Sequence, residues 1–178
     1  LIIVGYGSYL VYAYSTGKEH TLRLIKDYVL EEPLAIGQEG CIMHIDLNGH
    51  SLSGASLTTL HHVILENSGE EGTFNTDLLN KGTLVNNAML LTGVKNYGTI
   101  ENNGHINRVE NHHLLHNFNN IVDVEMREGE LHNKGKLTEV ALYDGDTINN
   151  GDISQFVIKG NHAHLEGETP EHSDAIIA

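Results

Sequence analysis

The sequence predicts an all-β chain wound as a single-stranded parallel β-helix, a β-solenoid with coils of about 16–18 residues. Three observations predict it. A unit opening on Asn recurs at Asn80, Asn96, Asn117, Asn133 and Asn149, with steps of 16, 21, 16 and 16 residues. Each unit carries an aliphatic residue four places after its Asn, namely Leu84, Ile100, Ile121, Leu137 and Ile153. Prolines number only two, Pro33 and Pro170, as expected of strands that hydrogen-bond on both sides.

Within the last three units the apolar doublets Val124/Met126, Val140/Leu142 and Phe156/Ile158 stand two residues apart. Residues at that spacing face one side of a strand, so each unit holds a short strand that stacks on its copy in the next coil. The same doublet occurs as Ile45/Leu47 and Val63/Leu65, offset by eighteen, which starts the coil well before Asn80. Gly82, Gly98, Gly135 and Gly151 follow their Asn by two places and read as tight corners of positive φ. The Asn side chains either favour those turns or form a stacked amide ladder. Sixteen residues are too few for a helical repeat pair or a propeller blade. From Ile25 to about Gly160 there is room for roughly eight coils at about 4.8 Å each, a rod about 40 Å long.

Three regions follow. Residues 1–20 form an apolar N-terminal segment that serves as a cap or as a strand shared between subunits. A processed signal or anchor is the alternative, against which stand the missing basic flank and initiator Met. Residues 21–165 form the β-helix, and 166–178 a polar C-terminal tail whose final Ala175-Ile176-Ile177-Ala178 can add a strand to a partner. Cys41 is the sole cysteine, so no intrachain disulfide exists, and its apolar neighbours suggest a buried strand thiol.

Charge narrows the partners. With 10 Lys+Arg against 24 Asp+Glu, the formal charge of −14 argues against nucleic acid and against an anionic membrane surface. No apolar run reaches the length of a transmembrane span.

The segment from Leu24 to Leu34, followed by Ile45-Asp46-Leu47-Asn48-Gly49-His50-Ser51-Leu52-Ser53-Gly54, resembles the opening coils of right-handed parallel β-helix proteins of the pectate-lyase-like superfamily. The units from Asn80 onward resemble β-helical stalks of bacterial surface proteins and adhesins. The right hand rests on this resemblance. The superfamily holds lyases, glycosidases, tailspikes, adhesins and architectural filaments, so the fold does not select among activities.

A lyase of this kind needs a Ca²⁺-binding carboxylate cluster and a basic Arg or Lys, and Arg23, Arg108 and Arg127 lie in no recognisable acidic cluster. A glycosidase needs two facing carboxylates, and Asp123 and Glu139 occupy the same place in adjacent units. That place also holds Asn86, Asn102 and Gln155, so a polar outward column is the plainer account. Asp144 and Asp146 offer oxygen ligands for Ca²⁺ without a complete calcium loop around them. Histidine is abundant, at 13 copies. His116, His132 and His164 each precede a unit boundary, and His112, His113, His116 and His132 are candidates for a Zn²⁺ site. His112, His113 and His116 lie in the longest unit, which predicts a bulge that binds a partner.

The sequence therefore predicts a structural or interaction solenoid at the cell surface or outside the cell: a stalk, adhesin or filament subunit that self-associates through strand edges and the N-terminal segment. The competing expectation is an enzyme acting on an extracellular polysaccharide. Against it stand an aromatic content of 6% and the absence of Trp, the usual sugar-stacking residue.

Overall fold

The computed structural model describes residues 2–4, 11–16 and 18–175, with side chains from 18 to 171; the rest of the apolar start and residues 176–178 lie outside the described residues. The chain is an all-β parallel solenoid of about eight turns. No helix among the described residues is long and apolar enough to cross a membrane.

Each coil has three strands, and like strands stack in register into three faces. The first face begins with Glu19–Leu24, Ile42–Asp46 and His62–Glu66 and continues through Thr83–Asn86, Thr99–Asn102, Leu114–Asn117 and Glu130–Asn133. The second begins with Tyr28–Leu30 and Leu52–Gly54. The third begins with Leu34–Ile36, Leu57–Thr59 and Leu78–Asn80 and closes on His172–Ala175. Lys136–Asn149 and Asp152–Gly167 each run through more than one face.

Alternation along each strand sends one side chain inward and the next outward. The interior consequently holds one aliphatic column per face. Leu52, Phe74, Leu90, Ile106, Ile121, Leu137 and Ile153 form one of them, and none exceeds 5% exposure. Burial of such side chains contributes about 1.5–3 kcal/mol each.

The five Asn of the repeat divide between two corners. Asn80, Asn96 and Asn111 stack at the corner from the third face to the first; Asn86, Asn102, Asn117, Asn133 and Asn149 stack at the corner from the first face to the second. Every side-chain amide but the last in each stack donates to the Oδ1 of the Asn one coil on, at 2.8–3.0 Å, so both corners are true amide ladders. Thr59 donates into the foot of the first ladder, and Asn111 ends it on the sulfur of Met126.

Four expectations are corrected by this register. The 21-residue step from Asn96 to Asn117 is no bulging insertion: it is one 15-residue coil to Asn111 plus the six residues between corners. Asn86 and Asn102 are interior and buried, not part of an outward column with Asp123 and Glu139. Gly82, Gly98, Gly135 and Gly151 do not have positive φ. They are required because a Cβ at Gly98, for example, would stand 2.1 Å from the carbonyl oxygen of Gly82 in the coil below. Finally, Val63/Leu65 pairs with Met43/Ile45, an offset of 20, because the early coils carry longer loops than the later ones.

Asp46-Leu47-Asn48-Gly49-His50 ties the wide early coils together. The buried Asp46 carboxylate accepts from Arg23 in the preceding coil, from the backbone of Asn48, and from both the backbone and hydroxyl of Ser68 in the next. Asn48 and Gly49 follow in left-handed conformations, φ 49° and 82°. Cys41 precedes the strand Ile42–Asp46 and is half-buried, not a buried strand thiol.

At the start, Val11–Thr16 pairs antiparallel with Glu19–Leu24 of its own chain, and Ile2–Val4 pairs outside it. Within the tail, His172–Ala175 lies parallel to residues 155–158 as a further strand of the third face.

Candidate functional site

The third face carries outward-pointing side chains in columns that follow the register. Arg108, Asp123, Glu139 and Gln155 make one column; Lys95, Glu110, Glu125, Ala141 and Val157 make the next. Along the second column the long carboxylates of Glu110 and Glu125 give way to two short apolar side chains. The surface sinks there into a cavity of about 290 Å³. Ala141 and Val157 form its floor, with Asp123, Glu139 and Gln155 on one wall and Tyr143 and Lys159 on the other.

Asp123 and Glu139 are thus brought together as neighbours on adjacent paired strands, whose backbones stand about 4.8 Å apart. Burial lifts Asp123 above the ordinary carboxylate range. Arg108 pulls it down, and the Glu125 and Glu139 carboxylates push it further up. Arg108 is engaged mainly with Glu125, and its Nε stands 3.8 Å from Asp123. Arg127 donates to the other Glu125 oxygen at 2.8 Å and covers one face of Tyr143, its guanidinium carbon 4.0 Å from the ring centroid. Lys159 stands 5.4 Å from the same centroid. Sequence reasoning found the carboxylate pair but missed Ala141, Tyr143, Val157 and Lys159. The available signal was the change from Glu to Ala and Val at one place in successive units.

The histidines do not converge. His116 and His132 are in register on the first face, with ring centroids 4.9 Å apart. Burial lowers the pKa of His116, and the neighbouring His132 lowers it further. His164 does not extend this column: it pairs with Asp146, while Ile148 and then Glu166 follow His132. His112 stacks on Tyr97 at 4.6 Å and bonds to Glu110 at 2.7 Å, an interaction that heads the causes holding that carboxylate below its ordinary range. His113 is exposed and meets the Gly98 carbonyl. Among the described residues, no group of three or more His, Cys, Asp or Glu is placed to hold a metal ion. Asp144, the Ca²⁺ candidate with Asp146, accepts from the backbone of Gly145.

Chemically, the depression offers two carboxylates with Arg108 beside one of them, an aliphatic floor, and donors opposite. Such a set can bind a cation with an apolar stem, or act as an acid and base pair. Comparison of the chain with protein-family models, with curated proteins and with solved structures yields no match.

Proposed function

We propose that the chain is an interaction solenoid: a stalk, adhesin segment or self-assembling filament subunit, extracellular or held at a cell surface. The observation that supports this reading is the use of its repeated Asn residues for axial hydrogen bonds. Eight Asn side chains in two ladders join coil to coil inside the rod. The outward positions then repeat at a fixed axial spacing, as a surface that presents contacts along its length requires.

Self-association through strand edges has one further support. Leu34–Ile36 has a paired strand on one side only among the described residues. Leu34 is 43% exposed although it is in register with the fully buried Leu57. An unpaired edge is a template for another strand. Sedimentation velocity over a range of concentrations tests the reading: oligomers that Leu34→Lys weakens are expected, and a chain that stays monomeric throughout overturns self-assembly. The proposal also places the chain with the right-handed β-helices of the pectate-lyase-like superfamily, on the strength of Asp46-Leu47-Asn48-Gly49-His50 and the coil pattern.

A second reading, an enzyme acting on extracellular polysaccharide, is favoured by one observation, the adjacency of Asp123 and Glu139. New reducing ends or unsaturated products from a polysaccharide panel, abolished by Asp123→Asn and by Glu139→Gln, would establish it in place of the first.

A further inference from the structure

The depression on the third face has the shape and chemistry of a receptor for one kind of side chain. Its floor, Ala141 and Val157, lies on two adjacent coils whose strands stand about 4.8 Å apart. Along one wall, Glu139 and Gln155 make no hydrogen bond or ion pair through their side chains among the described residues, and Asp123 has the guanidinium of Arg108 at 3.8 Å and the weaker pull of Lys159. Opposite stand two donors, the Tyr143 hydroxyl and the Lys159 ammonium, which are 3.4 Å apart.

We propose that this depression receives a lysine side chain from a basic segment of a partner protein, with its methylene stem on Ala141 and Val157 and its ammonium between the Asp123 and Glu139 carboxylates. Lysine combines an apolar stem with a compact charge, which is the combination the floor and wall present. Backbone carbonyls flanking the lysine answer the Tyr143 hydroxyl and Lys159. A bare polyamine brings no acceptor for either group. The formal charge of −14 steers basic partners toward the chain and disfavours a second copy as the occupant. The inference rests on the interaction reading above, and specifically on its binding role, not on self-assembly.

Fluorescence anisotropy with fluorescein-labelled hexalysine and the full chain at about 0.15 M salt tests it. Asp123→Asn and Glu139→Gln are each expected to weaken binding by about ten-fold or more, the cost of removing a charge partner. Val157→Arg, which fills the floor from an outward position, is expected to abolish binding while circular dichroism reports an intact fold. The charge-matched control, Glu31→Gln on the first coil, is expected to leave affinity within about two-fold, since separated surface charges are screened. Equal losses in the control, equal binding of hexalysine acetylated on every side chain, or tighter binding of a glucosamine oligomer with the same dependence on Asp123 and Glu139 would each overturn the proposal. Sedimentation measures self-assembly independently, so failure of one leaves the other legible.

Discussion

Asn102→Asp is the sharpest probe of the ladders. Asn102 is fully buried and accepts from Asn86 and from the backbone of Gly104. Its amide nitrogen donates to Asn117 Oδ1 at 2.9 Å, to the Asn120 carbonyl at 3.1 Å and to the Gly104 carbonyl at 3.2 Å. The substitution preserves shape and replaces the two N–H donors, which these three oxygens share, with an acceptor. At about 1–1.5 kcal/mol per lost bond, the cost is roughly 2–3 kcal/mol. The introduced carboxyl is buried among acceptors, which raises its folded-state pKa above the unfolded value near 4. Its neutral form still donates one bond. The variant is therefore least destabilised below the unfolded pKa and loses further stability as pH rises through the folded pKa. Urea denaturation at pH 4 and pH 8, followed by far-ultraviolet circular dichroism, measures both effects. A loss below about 1 kcal/mol at pH 8, or a loss independent of pH, would refute the claim that the ladder holds the coils together.

The same reasoning gives further outcomes. Thr147 stands in the buried column between Leu131 and Leu165, and its hydroxyl is the one buried side-chain polar atom without a hydrogen-bond partner among the described residues. Thr147→Val is expected to raise stability by about 1 kcal/mol in urea melts. Gly98→Ala, aimed 2.1 Å from the Gly82 oxygen, is expected to cost several kcal/mol, roughly 3 or more by forcing the coils apart. Gly93→Ala, whose nearest contact is 3.9 Å, is expected to be neutral or slightly stabilising in the same assay. Asp46 lies below its ordinary range because hydrogen bonds from Ser68, Asn48 and Arg23 outweigh burial, which alone would raise it. Its contribution is present above the unfolded pKa and lost as pH falls through the folded one, so thermal melts of Asp46→Asn should show lower stability than wild type at pH 7 and a smaller acid-induced decline. Asp123 moves the opposite way, so hexalysine binding should weaken on acidification at a higher pH than an ordinary carboxylate would produce, as a pH series of anisotropy titrations would show.

The coil, its aliphatic columns and the adjacency of Asp123 with Glu139 were legible because side-chain alternation and register leave a period in the sequence. What misled was a local signal serving two places. Asn-x-Gly marks both corners, at Asn80 and Asn96 on one ladder and at Asn133 and Asn149 on the other. Both corners ask for an amide that bonds to the backbone two residues ahead, so reading by Asn crosses from one ladder to the other. The short coil ending at Asn111, with Met126 in the next amide position, hides the crossing. The glycines were correct as corner markers and wrong in cause, since contact between coils is invisible to local torsion arguments. The depression escaped notice because it is made by small residues, and absence of bulk leaves no motif.

The amide ladders also set how the rod would respond to force. Every ladder bond lies along the axis, so tension applied between the ends loads consecutive coils in series. The weakest boundary opens first, and each released coil of about 16 residues pays out roughly 50 Å of extended chain. Coils joined by Asn–Asn bonds at both corners, from Asn80 to Asn111 and from Asn86 to Asn117, should hold to higher tension than the coils outside the ladders. A pulling trace would then show a sawtooth whose earliest teeth come from those outer coils.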